Sequence, residues 1–264
     1  MSKAILGLLA GLLIGGTAAA HDTWVQTNAN IIRVGDAAYV DLLLGNHGND
    51  HRDFKLAGKA DLEASTLEIV LPNGRRLDVK PGLADQGYAP SEGFWSTRFV
   101  AAEPGLYTVS HTYDKVVSYA PVRAIKSAKT CFVASRSLDD VPRDAGGFDR
   151  PLGHSLELVP TTHPVTPMGP GVPLGVRLLY RDKPLAGARV SFVPRGTTLA
   201  DGFDPKFERT TDAQGEVRFT PNDGNYYLVV AHHEQPDERG PNYERTKYSA
   251  TLVVLVPQHC PCCE

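Results

Sequence analysis

The sequence predicts an all-β protein made of two tandem β-sandwiches, the first immunoglobulin-like and the second prealbumin-like. Short apolar runs rich in Val, Ile, Tyr, Phe and Thr recur along the whole chain. Turn signals separate these runs, and the chain has 25 Gly and 20 Pro, which suits many strands joined by turns. No segment has the long, capped 3.6-residue pattern of a helix.

The first sandwich is predicted over residues 21–136. Turns such as Pro72-Asn73-Gly74 and Glu103-Pro104-Gly105 divide it into short segments. Seven strands at this spacing are typical of an immunoglobulin-like sandwich. The predicted strands are Trp24–Ile32, Ala38–Leu44, Thr66–Val70, Arg76–Val79, Phe94–Val100, Leu106–Tyr113 and Ala124–Ala134.

Residues 137–173 are predicted to connect the two sandwiches. Their first part, Leu138 to Gly147, is polar and rich in breakers, and their second part, Pro160 to Pro173, is a proline cluster. Proline disfavours helix in the preceding residue, so this segment should be extended.

The second sandwich is predicted over residues 174–257. Three of its segments, KPLAGARVSF, TDAQGEVRFTP and GNYYLVVAHH, resemble the repeats of prealbumin-like sandwiches in secreted proteins. The predicted strands are Leu174–Tyr180, Ala188–Val193, Glu216–Thr220, Asn225–His232 and Ser249–Val256.

Residues 1–20 have the pattern of a secretory signal peptide. Lys3 supplies the positive n-region, an apolar run follows from Ala4 to Ile14, and small residues precede a cleavage site after Ala20. An uncleaved anchor is the alternative, although the apolar run is short for a bilayer. The mature protein is therefore expected to be soluble and exported to a bacterial periplasm.

Composition and motifs exclude several functional classes. The 27 basic and 30 acidic residues give a formal net charge of −3, so there is no basic excess for nucleic acid. The sequence has no nucleophile elbow, P-loop, dinucleotide fingerprint or H-E-x-x-H motif. We therefore expect no enzymatic activity.

Cleavage after Ala20 would make His21 the first residue of the mature chain. The α-amine and the ring of one N-terminal His can chelate one metal ion, because both release protons near neutral pH. The alternative is that His21 stands there without a role.

A polar segment after the second predicted strand carries His47 and His51. The two are four residues apart, with Asp50 and Asp53 beside them. Imidazole suits Ni, Cu, Zn and Co(II), and carboxylates widen the choice. The alternative is a polar loop whose Asn and Asp side chains bond to its own backbone.

Two strand histidines complete the imidazole candidates. His111 shares a strand face with Tyr107 and Val109, so it is either a buried structural residue or a ligand. His232 and His233 are adjacent on a strand and point to opposite faces, so only one of them can join a given site. His154 and His163 lie in connections and are expected to be structural.

The C-terminal tail, residues 258–264, gathers thiols around an imidazole. Thiolates prefer Cu(I) and Zn, so these residues form a candidate soft-metal site. In an exported protein they could instead form disulfides, one of them with Cys131. The candidates are His259, Cys260, Cys262 and Cys263.

Blocks along the mature chain resemble an exported family, a domain of unknown function, whose members are assigned to the periplasmic part of nickel/cobalt uptake systems. The resemblance implies a Ni²⁺ or Co²⁺ site that uses His21 with histidines of the first sandwich, and an inner-membrane cobalt/nickel permease as partner. The Cys-rich tail is not expected of every member and favours Cu or Zn. The blocks are HDTWV, LLGNHGNDHRDFKL, GYAPSEGFWS, PGLYTVSHTYD, YAPVRAIKSAKTCF, LGHSLELVPTTHPVTPMGPG, KPLAGARVSFVPRG, TDAQGEVRFTP, YLVVAHH and YSATLVVLVP.

Three functional hypotheses follow from the sequence. The first is a periplasmic nickel- or cobalt-binding accessory of a transporter. The second is a copper protein of the histidine-brace type, in which an N-terminal His and a second His hold copper for copper handling or oxidative chemistry. The third is a sandwich used only for adhesion or envelope structure.

Overall fold

The computed structural model describes residues 21–45, 61–87 and 92–258, and these residues confirm the predicted all-β class. A single 3₁₀ turn at Lys80–Gly82 accompanies the strands in this part of the chain. The strands are β1 Asp22–Thr27, β2 Ile31–Arg33, β3 Ala37–Gly45, β4 Ser65–Val70, β5 Arg76–Asp78, β6 Ala84–Asp85, β7 Trp95–Val100, β8 Gly105–Val116, β9 Val122–Ser135, β10 Leu156–Pro160, β11 Leu174–Tyr180, β12 Lys183–Pro184, β13 Arg189–Pro194, β14 Glu208–Thr210, β15 Glu216–Phe219, β16 Asn225–Gln235 and β17 Arg245–Val256.

One large sheet runs through both halves of the molecule. Its strand order is β14-β13-β16-β17-β9-β8-β4-β5, with β2 added beside the end of β9. The pairs are antiparallel except for those that β9 makes with β17 and β2. The parallel β9–β17 pair, in register from Val122↔Arg245 to Thr130↔Val253, therefore joins the N-terminal half to the C-terminal half.

Two smaller sheets cover opposite faces of this central sheet. The sheet β1-β3-β7-β6 packs on the face that carries Ala128 and Phe132 of β9. The sheet formed by β10, β11, β12 and β15 packs on the face that carries Ala250 and Leu252 of β17. Each half is thus a β-sandwich, and the two sandwiches share their central layer.

Strand β1 and the second half of β3 are buried on both of their faces. Val25 and Leu42 belong to the N-terminal core, whereas Trp24 and Leu43 pack against Leu228 and other residues of the C-terminal half. Strands buried on both sides lose the alternation of apolar and polar residues, as the run Leu42 to Leu44 illustrates. Strand β1 is therefore packed between the two halves.

The connection between the sandwiches is anchored by a buried carboxylate. Glu157 of β10 is 0% exposed, and its Oε1 accepts hydrogen bonds from Lys129 Nζ at 2.6 Å and from the Leu152 amide at 2.6 Å. Its Oε2 accepts the amides of Gly153 and His154, each at 3.0 Å. These donors hold the pKa of Glu157 below its usual range even though burial alone would raise it.

The observed strands differ from the predicted ones in two main places, besides the short strands β6, β12 and β14, which were not predicted. The predicted strand Trp24–Ile32 is two strands, because the chain leaves the small sheet after β1 and joins the central sheet as β2. Asn28 Oδ1 accepts the Tyr39 amide at 2.8 Å at this crossing, so a side chain replaces a ladder partner. Strand β10 lies inside the segment predicted as an extended connection, and its buried Glu157 interrupts the apolar pattern.

No helix within residues 21–45, 61–87 and 92–258 combines the length and the apolar character needed to cross a membrane.

Candidate functional site

The backbone at His21 is fixed where the two halves meet. Strand β1 lies over β9 and β17, so Lys126 Nζ donates to the His21 carbonyl and Thr251 Oγ1 donates to the Thr23 carbonyl at 2.8 Å. Lys126 lies in β9 on the face that carries Ala128, so its amine points towards β1. These contacts give His21 a defined place although it precedes the first strand.

Asp22 pairs with one of the predicted ligand histidines. His232 Nε2 donates to Asp22 Oδ1 at 2.9 Å, and the side chains are 58% and 13% exposed respectively. Burial alone would raise the pKa of Asp22, but His232, Lys126 and Ser249 hold it below its ordinary value. The Asp22 carboxylate in turn raises the pKa of His232. The His232 ring is thus paired with a carboxylate while much of its surface stays exposed.

His111 is buried and has one ring nitrogen without a partner. It is 1% exposed, and its Nδ1 lies 2.8 Å from the Thr66 carbonyl. A carbonyl only accepts, so Nδ1 carries the proton and the lone pair stands on Nε2. That Nε2 is buried and has no hydrogen-bond partner among the described residues.

The environment keeps His111 neutral. Burial, opposed by the hydrogen bond to Thr66 and reinforced by the nearby Lys126, lowers the pKa of His111 to about 4. A neutral imidazole whose other nitrogen donates to a backbone carbonyl has the arrangement commonly found in metal-binding histidines. The residue fits a ligand role in its chemistry.

Lys126 connects these groups electrostatically. Burial lowers the pKa of Lys126, and the Asp22 carboxylate opposes that effect. The same amine influences the pKa of Asp22, His111 and His232. Lys126, which is half-buried, thus lies close to the His21 backbone, the His111 ring and the Asp22–His232 pair.

The sequence segment with two further candidates follows directly on a strand that ends next to this point. Asp22 is the Cα partner of Gly45, the last residue of β3. The segment that carries His47 and His51 begins directly after Gly45, and both histidines lie outside the described residues. The tail candidates His259, Cys260, Cys262 and Cys263 also lie outside them.

The structure brings only part of the predicted set together. Within the residues that the structure describes, no group of three or more His, Cys, Asp or Glu side chains is arranged to hold a metal ion. Three candidates (His21, His111 and His232) lie around Lys126, with Asp22 added. Sequence reasoning missed Lys126 and Asp22, although β9 alternation places Lys126 on the same face as Ala128.

The other histidines serve the fold or face elsewhere. His163 Nδ1 accepts the amides of Val165 and Thr166, and His233 packs against Tyr180 at 4.6 Å between ring centroids. His154 Nε2 lies 3.0 Å from Ser110 Oγ, and the His154 side chain lines a cavity of about 220 Å³ that Lys126 also lines.

The cysteine in the described part of the chain is a core residue. Cys131 is buried in β9, with its sulfur 3.6 Å from Thr108 Oγ1. Burial raises the pKa of the thiol, so it is inert at neutral pH.

Comparison with known sequences identifies one domain. Residues 18–235 match the model of DUF4198, a domain of unknown function. No curated protein sequence matches the chain.

Comparison with solved structures finds distant similarity. A DUF4785 family protein from Legionella pneumophila is 12% identical, with a TM-score of 0.27 over 78% of this chain and 51% of that one. Trypsin-activated α2-macroglobulin from Escherichia coli is 12% identical, with a TM-score of 0.26 over 89% of this chain and 16% of that one. The mouse nectin-like molecule 4 ectodomain is 12% identical, with a TM-score of 0.24 over 90% and 65%. The chain thus spans about half of the first of these and a sixth of the second, and none of them bears on function.

Proposed function

The chain belongs to the DUF4198 family, and from that premise we propose that it is a periplasmic protein that binds a nickel or cobalt ion at its N-terminal histidine and passes it to an inner-membrane permease. The observation that carries the proposal is the unpartnered, buried Nε2 of His111 on the sheet face that β1 covers. A buried imidazole nitrogen without a partner has a cost that a metal ion would remove.

The donors of this proposed site come from separate parts of the chain. After cleavage, His21 supplies an amine and a ring nitrogen, and His111 supplies Nε2. His47 or His51 can complete the site, because their segment starts at Gly45 beside Asp22. His232 is the remaining candidate, and it binds metal only by leaving Asp22.

The ligand chemistry favours late first-row metals. Nitrogen donors of this kind suit Ni²⁺, Co²⁺ and Cu²⁺, and copper binds most tightly in the usual affinity order. Selection of nickel or cobalt over copper would therefore depend on which metals are available and on the coordination geometry of the site. A copper protein of the histidine-brace type uses the same two histidines, and a purely structural sandwich uses neither.

The mature protein with His21 as its first residue tests the proposal. We expect calorimetry to give tight binding of Ni²⁺ or Co²⁺, and one Ala added before His21 to weaken it at least about tenfold, which corresponds to about 1.4 kcal/mol. The extension keeps the imidazole and converts the amine into an amide. It does not touch the core, so folding is preserved.

A pair of substitutions provides the matched control. His111→Gln should weaken metal binding, whereas His233→Gln should not, because His233 faces Tyr180 on the other side of the sheet. Unchanged affinity in the extended protein and in the His111 variant would contradict the site. If the protein binds no metal, the remaining hypothesis is a sandwich with a purely structural role. If its reduced copper form consumes oxygen, the result favours a copper protein of the histidine-brace type.

A further inference from the structure

A polar cleft of about 450 Å³, which no histidine of the described residues lines, lies at the open edge of the C-terminal sandwich. It lies between β14, the edge strand of the central sheet, and β15, which pairs with β11 in the smaller sheet. We propose that this cleft binds a small hydroxylated dianion, such as a sugar phosphate or a disaccharide of uronic acids. The proposal does not depend on the metal site.

The charge of the cleft calls for an anion. Lys206, Arg209 and Arg218 line it together with one carboxylate, Asp223, which gives two net positive charges. None of these three cations forms an ion pair within 4 Å in the part of the chain that the structure describes. By contrast, Arg177 on the neighbouring strand β11 pairs with Glu216 at 2.5 Å. Unpaired cations in a concave site raise the local concentration of anions.

Two of the cations are held in place before any ligand arrives. Arg209 Nη1 donates to the carbonyls of Pro205 and Glu208, both at 2.7 Å, and its guanidinium lies 5.4 Å from the centroid of Phe219. Lys206 Nζ lies 4.9 Å from the centroid of Phe207. A fixed guanidinium keeps one edge for carboxylate or phosphate oxygens and loses little entropy on binding.

The remaining lining explains why the ligand should carry hydroxyl groups. Asp223 would repel a second anionic group beside it, but its carboxylate accepts hydrogen bonds from hydroxyls. Asn222, Thr197 and Thr220 add amide and hydroxyl groups that both donate and accept. A bare phosphate ion would use the cations and leave this part of the cleft empty.

Calorimetry at low salt with four probes tests the proposal: glucose 6-phosphate, digalacturonate, inorganic phosphate and glucose. We expect at least one of the two acidic sugars to bind about tenfold more tightly than phosphate or glucose, since charge-assisted and neutral hydrogen bonds then act together. Which acidic sugar binds identifies the source of the anionic group.

Substitutions then locate the binding. Arg218→Gln and Lys206→Gln should each weaken binding about tenfold, and Asp223→Ala, which removes the hydroxyl acceptor, should reduce the preference for the acidic sugars over phosphate. Lys183→Gln on the exposed strand β12 is the control and should change nothing. Equal affinity for phosphate and both acidic sugars would overturn the hydroxyl requirement. No binding at millimolar concentration, or binding that survives Arg218→Gln, would overturn the site.

Discussion

Lys126 and Lys129 lie three residues apart on β9 and face opposite sides of the same sheet, yet their surroundings differ. Lys129 is 4% exposed and pairs with Glu157, whose carboxylate also accepts three backbone amides. Lys126 donates to a single backbone carbonyl, and beside it stands the unpartnered Nε2 of His111.

The contrast separates a structural polar cluster from a candidate site. A buried ion pair whose lone pairs are all used has nothing left to offer a ligand, and its role is to hold segments together. A buried cluster with an unused lone pair carries a free-energy cost, and a ligand that binds to that lone pair can remove it. Lys129 is fully buried and Lys126 only partly so, and the two places also differ in how far their hydrogen-bonding groups are satisfied among the described residues.

The largest effect on the free energy of unfolding is expected when Lys129 is substituted. Lys129→Met would leave Glu157 as a buried charge without its counterion, and such losses cost about 3–5 kcal/mol. Chemical denaturation at pH 7 should detect the loss as a lower free energy of unfolding. The double variant Lys129→Met with Glu157→Gln is the control and should recover part of it. A loss below about 1 kcal/mol would contradict the structural role.

A smaller effect on stability is expected when the pH is lowered. His154 is 8% exposed, and burial, with Lys129 nearby, lowers its pKa to about 4. The unfolded chain has a pKa near 6.5, so between these values the unfolded state binds more protons and stability falls as the pH falls. The protein should lose about 2 kcal/mol between pH 7 and pH 5 through this residue.

The variant His154→Gln isolates that contribution. Glutamine can keep the hydrogen bond to Ser110 and does not titrate, so the variant should lose about 2 kcal/mol less than the unchanged protein over the same interval. Denaturation curves at pH 7 and pH 5 in the presence of a chelator provide the measurement. An identical pH dependence in both proteins would show that the pKa of His154 is the same in the folded and unfolded states and would contradict the prediction.

The sequence predicts the fold class better than it predicts the neighbours of a residue. Alternation correctly places His111 on the inward face of β8, because the side-chain period of a strand is two. It says nothing of Glu157 meeting Lys129, since that pair depends on how β10 packs against β9, 28 residues away. The crossing of the chain after β1 was also missed, because no local signal marks a change of sheet.

For the candidate site, too, the sequence does not predict which residues become neighbours. The proximity of His21 and Lys126 follows from β1 lying over β9, a contact between residues 105 positions apart. An adjacent Asp22 and a lysine at an inward strand position were visible in the sequence. Their proximity could not be read there, because only the packing of three strands brings them together.

The smallest effect on the free energy of unfolding is expected when Lys126 is substituted. Lys126→Met removes one hydrogen bond to the His21 carbonyl, which costs about 1 kcal/mol, and it also removes a buried cation whose desolvation is unfavourable. The two contributions oppose each other, so the free energy of unfolding should change by less than about 1 kcal/mol. Denaturation in the presence of a chelator, side by side with Lys129→Met, measures the difference. The same variant should bind Ni²⁺ several-fold more tightly, because a like charge beside His111 is gone. A loss of stability as large as that of Lys129→Met would show that Lys126 also belongs to a closed structural cluster.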